Sequence, residues 1–111
     1  VNAFDVLAEP TRRQILDLVR DEERSVNELV FDLSMTQPAV SKHLRILRDS
    51  GFVRFRIDGQ RRMYRVEPKA FIEVEDWLEP YRRMWEDRLD SLERYLDSVQ
   101  REDKKERGNG D

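Results

Sequence analysis

Apolar residues recur at helical spacing from the start of the chain. Asn2 is placed to cap a short helix carrying Phe4, Val6 and Leu7, and Pro10 suits the first turn of a second helix, with Ile15, Leu18 and Val19 on one face. The polar run Asp21-Glu22-Glu23-Arg24 reads as a connection, after which Ser25 and Glu28 form a capping box in front of Leu29, Val30 and Leu33. A tight joint at Ser34-Met35 leads to Thr36 as the N-cap of a fourth helix, in which Val40, Leu44 and Leu47 repeat until Gly51. The pattern then changes period. Segments 53–57 and 61–66 alternate apolar and basic residues about Asp58-Gly59, a dipeptide suited to a two-residue type I′ turn, and predict a β-hairpin. Phe55, Ile57, Tyr64 and Val66 should face inward, and Arg54, Arg56, Arg61 and Arg65 outward. From about Ala70 the apolar positions Phe71, Val74, Leu78, Tyr81, Trp85, Leu89, Leu92, Leu96 and Val99 fall in steps of three or four. That predicts one long amphipathic helix, or two joined at Pro80, where a kink is expected.

This order of elements, a mainly α chain of about five helices plus a two-stranded hairpin, is that of a winged helix-turn-helix. The major groove of B-DNA is about 12 Å wide and admits one α-helix. With Val40, Leu44 and Leu47 turned inward, the fourth helix presents Gln37, Ala39, Ser41, Lys42, His43 and Arg45, preceded by Thr36, as donors, acceptors and a methyl for base edges and phosphates. The hairpin offers Arg54, Arg56, Arg61, Arg62 and Arg65 to the flanking backbone or minor groove. Arg12 or Arg13 is a further candidate for a phosphate contact.

Charge sharpens this picture. The 111 residues carry a net charge of −3, which argues against a nucleic-acid ligand until it is resolved along the chain. Residues 41 to 69 hold nine basic and three acidic side chains, whereas both flanks are acidic. The positive excess therefore coincides with the fourth helix and the hairpin. Charged residues make up 41% of the chain and hydrophobic ones 38%, so a lone protomer has little apolar surface to offset chain entropy, and self-association is expected.

Other chemistry is poorly supplied. There is no cysteine and one histidine, His43, which lacks a neighbouring ligand or carboxylate motif. Ser41 has no nucleophile-elbow context. Neither paired carboxylates nor a phosphate loop supports an enzyme, and no cofactor or metal is expected. Apolar runs fall far short of the roughly 20 residues of a membrane span, and the amino end shows no signal-peptide pattern, so a cytoplasmic protein without membrane association is expected.

Two stretches carry a family resemblance: Leu7-Ala8-Glu9-Pro10-Thr11-Arg12-Arg13-Gln14-Ile15-Leu16, and the run from Thr36-Gln37-Pro38-Ala39-Val40-Ser41-Lys42-His43-Leu44 through Gly51-Phe52-Val53. They resemble the ArsR family of bacterial winged-helix transcriptional regulators over about residues 3 to 99. The resemblance implies a homodimer built from the first and last helices, through Phe4, Leu7, Leu78, Tyr81, Trp85, Leu89, Leu92 and Leu96. It also implies a double-stranded, inverted-repeat operator and repression by blocking promoter access. Metal-sensing members bear thiolates near positions held here by Ser25, Asn27 and Val30, and others use paired Asp and His on the terminal helix, which has no histidine here. The chain is thus similar to the branch that does not sense metals, in which the signal is a small molecule, another protein, or autoregulation alone.

The expected organisation is a winged helix-turn-helix domain over 1–99, with 70–99 as its dimerisation helix, and a disordered charged tail over 100–111. The aromatic set Phe71, Trp77, Tyr81, Trp85 and Tyr95 reads as interface core more readily than as an effector pocket. A docking module that binds protein without nucleic acid is the alternative function, and the five hairpin arginines weigh against it.

Overall fold

The computed structural model describes residues 2–109, with side chains over 2–103. It resolves into two compact units, one up to Glu75 and one from Asp76 onward.

The first unit opens with α1 (Ala3–Ala8) and α2 (Pro10–Asp21). Six residues are too few for a helix to persist unaided, and polar side chains close both ends of α1. The Asn2 side chain accepts from the Asp5 N–H at 2.9 Å while the Asp5 carboxylate accepts from the Asn2 N–H. Glu9 ends α1 and begins α2, its carboxylate accepting from the Thr11 N–H. Arg12 donates to the Val6 and Asp5 carbonyls at 2.8 and 3.1 Å, and Arg13 to the Leu7 and Ala8 carbonyls at 2.6 and 3.3 Å. These are carbonyls that a helix end leaves without an intrahelical partner, and cations are favoured there. Both arginines are therefore engaged in the α1–α2 joint, a structural role that the sequence pattern does not indicate.

The segment read as a plain polar connection contains a short strand, β1 (Arg24–Ser25). Ser25 both ends that strand and caps α3 (Val26–Leu33) through the reciprocal box with Glu28. Ser34 closes α3 in the left-handed conformation, φ 52°, and Thr36 opens α4 (Gln37–Asp49), its hydroxyl accepting from the Ala39 N–H at 3.3 Å. At the far end Gly51 takes φ +80°, so that the Phe52 N–H reaches the Leu47 carbonyl at 2.8 Å.

The hairpin follows as β2 (Val53–Asp58) and β3 (Arg61–Val66), and β1 pairs with the outer edge of β3 to give the antiparallel order β1-β3-β2. Asp58 pairs with Arg61, so the turn residues are Gly59 and Gln60, with positive φ at Gly59 alone. That is the type II′ pattern, one residue later than the Asp58-Gly59 type I′ turn expected. A 3₁₀ turn, Pro68–Phe71, leads into α5 (Ile72–Asn109).

The core of this unit is built from Val6, Ile15, Leu16, Val19, Leu29, Val40, Leu44, Leu47, Phe52, Val53 and Tyr64. Phe52 is buried next to the Gly51 joint and meets Phe71 edge-on at 5.1 Å. Two hairpin positions depart from the alternation. Met63, paired with Ser25 of β1, is buried on the face expected to be outward, and Ile57, though on the inward face by register, is 71% exposed close to the free tip.

The second unit is the body of α5. The helix passes Pro80 without a break. It also continues to Asn109 through the segment expected to be a disordered tail; residues 101–107 are mostly Arg, Lys and Glu, which favour helix intrinsically. Residues 110 and 111 of that expected tail lie outside the described residues. No helix is long and apolar enough to cross a membrane among the described residues.

Candidate nucleic-acid interface

Three buried residues fix how α4 presents its outer surface. Val40, Leu44 and Leu47 are at most 1% exposed and hold the helix against α2, α3 and β2. Gln37, Lys42 and Arg45 are exposed, as is Thr36 at the cap; Ala39, Ser41 and His43 are half-buried. The Nδ1 atom of His43 is buried and has no hydrogen-bond partner. His43 is thus at the edge of the packed face, while Gln37, Lys42 and Arg45 stand in solvent. Arg48, which sequence reasoning left out, is exposed one turn beyond Arg45. The i, i+4, i+8 and i+11 spacing of Gln37, Ser41, Arg45 and Arg48 places them on one stripe.

That stripe borders the hairpin. A cleft of about 360 Å³ is lined by Val26, Ser41, Arg45, Arg48, Arg62 and Tyr64. A second, of about 240 Å³, lies among Ser25, Val26, Asn27, Gln37, Gln60, Arg61 and Arg62. Neither lining contains a carboxylate. In strand register Arg62 shares a sheet face with Phe55, Ile57 and Tyr64, so it turns toward α4 rather than away with the other hairpin arginines.

The other face carries less free charge than its arginine count suggests. Arg54 pairs with Glu67 at 3.2 Å, Arg56 with Glu23 at 2.8 Å and Arg61 with Asp58 at 3.4 Å. Arg54 and Arg65 stand directly across the two strands, a like-charge juxtaposition that Glu67 relieves. The five candidates therefore fall into two sets. Arg54, Arg56 and Arg61 have carboxylate partners within the protein, while Arg62 and Arg65 carry no such ion pair among the described residues.

The family model described as "Bacterial regulatory protein, arsR family" matches residues 9–54, the stretch from the α1–α2 joint through α4 into the wing. HTH-type transcriptional regulator Rv2034 of Mycobacterium tuberculosis is 33% identical over 96 residues, covering 86% of this chain and 87% of that protein. The chain belongs to the ArsR family of bacterial regulatory proteins. It is accordingly a transcriptional regulator with a winged helix-turn-helix fold.

Solved ArsR-family structures share this architecture. A crystal structure of a possible transcriptional regulator for arsenical resistance superposes with TM-score 0.66 at 35% identity, over 83% of this chain and 93% of that one. The solution structure of the homodimeric winged helix-turn-helix DNA-binding domain of Mb0332 from Mycobacterium bovis gives 0.56 at 28% identity, over 77% of this chain and 76% of that one. In ArsR-family terms α3 and α4 form the helix-turn-helix, and the β2–β3 hairpin is the wing.

The residues expected at a dimer seam are open to solvent in the protomer. Phe4 is exposed and Leu7 half-buried in α1, and Leu78, Tyr81, Trp85, Leu89, Leu92 and Leu96 are all exposed along α5. Trp77, Met84, Tyr95 and Val99, also exposed, widen the apolar stripe of α5. Large contiguous apolar surface of this kind is rare on monomers and marks an association surface. Among the described residues no group of three or more His, Cys, Asp or Glu is arranged to hold a metal ion.

Proposed function

We propose that the chain is a homodimeric, sequence-specific DNA-binding repressor of the cytoplasm that reads an inverted-repeat operator, with α4 of each protomer in a major groove. The observation that carries this reading is the stripe of exposed Gln37 and Arg45 with half-buried Ser41 between them, on a helix held rigid by Val40, Leu44 and Leu47, next to a cleft lined by Arg45, Arg48 and Arg62 without acid. Base-edge readout needs short polar groups on a fixed helix, and phosphate contact needs unopposed cations; both are present on one side. Lys42 and Thr36 fit backbone positioning, and His43 fits support of the helix edge.

The dimer reading rests on the apolar face of α5 and on the homodimeric relative. Two α4 helices one helical turn apart, about 34 Å, would meet successive major grooves of an inverted repeat. Resistance to arsenicals, named in one structural relative, transfers poorly to this chain. It has no cysteine, and thiophilic ligands need soft donors. A small molecule or protein is the fitting effector class.

Binding of the purified protein to duplexes from its own promoter region and to random duplexes, at several salt concentrations, tests the reading. A preference of about 1000-fold or more for one duplex, with affinity falling steeply as salt rises, is expected. Equal, salt-independent binding to both would overturn it and leave a protein-docking module.

A further inference from the structure

We infer that the cleft between α4 and the wing is the seat of a single phosphodiester of the operator backbone, gripped by Arg62, Arg45 and Arg48, and that Phe55 is the residue that positions this grip. The inference rests on the DNA-binding reading and adds to it a ligand group, a location and a positioning residue.

The geometry of a duplex requires something of this kind. If α4 occupies a major groove and the wing tip reaches the adjacent minor groove, the wall between the two grooves, one sugar-phosphate strand, must pass between helix and wing. The protein has a cleft at that place. Its lining brings three guanidinium side chains from two elements together with the Ser41 hydroxyl and no carboxylate. Guanidinium forks bind phosphate oxygens in pairs, and converging cations of this kind repel one another until an anion is placed among them.

One aromatic ring holds two of them, Arg62 and Arg48, meanwhile. The Arg62 guanidinium carbon lies 4.6 Å from the centroid of Phe55 and that of Arg48 lies 5.7 Å from the same centroid. Phe55 is itself fixed by the tilted contact with buried Tyr64 at 5.5 Å. A cation over an aromatic face is held in place while its N–H groups stay free to bind. Arg48 also touches Asp49 at 3.5 Å, an exposed contact worth little, so its guanidinium remains available to the grip.

The test uses the full chain, a duplex enriched from a random pool by the wild-type protein, and a random duplex. For Arg62→Gln the expected result is a loss of roughly tenfold on both duplexes, with the salt slope shallower by about 0.9, the value of one released phosphate contact. Phe55→Leu should reproduce that loss and Phe55→Tyr should restore wild-type binding, with circular dichroism and thermal melting confirming the fold of each variant. Replacing single backbone phosphates of the enriched duplex by neutral methylphosphonates should identify one position per half-site that costs the wild type affinity and costs Arg62→Gln measurably less. An Arg62→Gln loss confined to the enriched duplex, or an unchanged salt slope, would overturn the phosphate seat while leaving DNA binding intact. Absence of any duplex binding by the wild type would instead overturn the DNA reading on which the seat rests.

Discussion

Gly51 and Ser41 show how much single residues contribute here by different physics. Gly51 holds φ +80° with nothing within 4 Å of where a Cβ would stand, so its requirement is conformational rather than steric crowding. Gly51→Ala is expected to destabilise the protein by about 1 kcal/mol, the cost of a left-handed backbone for an L side chain, as a lower urea midpoint with unchanged m-value. Ser41 is half-buried in the cleft beside three arginines, and a carboxylate there would oppose incoming phosphate. Ser41→Glu should lose roughly 3 kcal/mol of binding or more, about 100-fold in Kd, while its melting curve stays close to wild type. Retained affinity in a folded Ser41→Glu protein would place the DNA elsewhere. At this scale the sequence was legible where a residue's role is local. The Asn2, Ser25 and Thr36 caps stand where expected, because capping depends on neighbours two or three positions away. The structural role of Arg12 and Arg13 is not legible in the sequence, because their partners, carbonyls five to seven residues back, become neighbours only once α1 and α2 fold against each other.

The wing is the element whose charge the sequence overstated. Five arginines in fourteen residues suggest a uniformly cationic hairpin, yet Glu23, Asp58 and Glu67 engage three of them. Glu23 approaches from the segment before β1, thirty-three residues away, and no local pattern announces it. The two-residue strand escaped notice for the same reason: it is too short for periodicity and exists because β3 offers a free edge. Glu23→Gln removes one internal counter-charge from Arg56. Random-duplex affinity at low salt should rise a few-fold with a steeper salt slope, since an added cation becomes available for counterion release. Folding stability should fall by about 1 kcal/mol, since Arg56 is exposed but Glu23, the carboxylate being neutralised, is half-buried. A weaker, not tighter, random-duplex complex would mean that the Glu23 contact serves to aim the wing.

For the whole molecule, the long helix is the element that leaves most apolar surface uncovered. From Asp76 onward every described side chain of α5 except that of Glu79 is exposed, including Trp77, Tyr81, Trp85 and Leu89. The apolar periodicity made this helix visible in the sequence, but periodicity cannot say which partner covers the stripe. Leu89→Asp introduces a charge into that face and should shift sedimentation toward monomer at micromolar concentration, with operator binding lost in parallel because each half-site alone is weak. An unchanged dimer would move the seam off this part of α5.

The joint made by Glu9, Arg12 and Arg13 has a mechanical consequence. Since one residue both closes α1 and opens α2, and two guanidinium groups span the corner with four bonds, α1 is less a separate helix than a bracket welded to α2. A force applied to Phe4 by a second subunit would be delivered to α2, and through its packing to α4, with little compliance at the corner. Any displacement of α1 would then reach α4 as a turn of the whole bracket rather than as a bend within it.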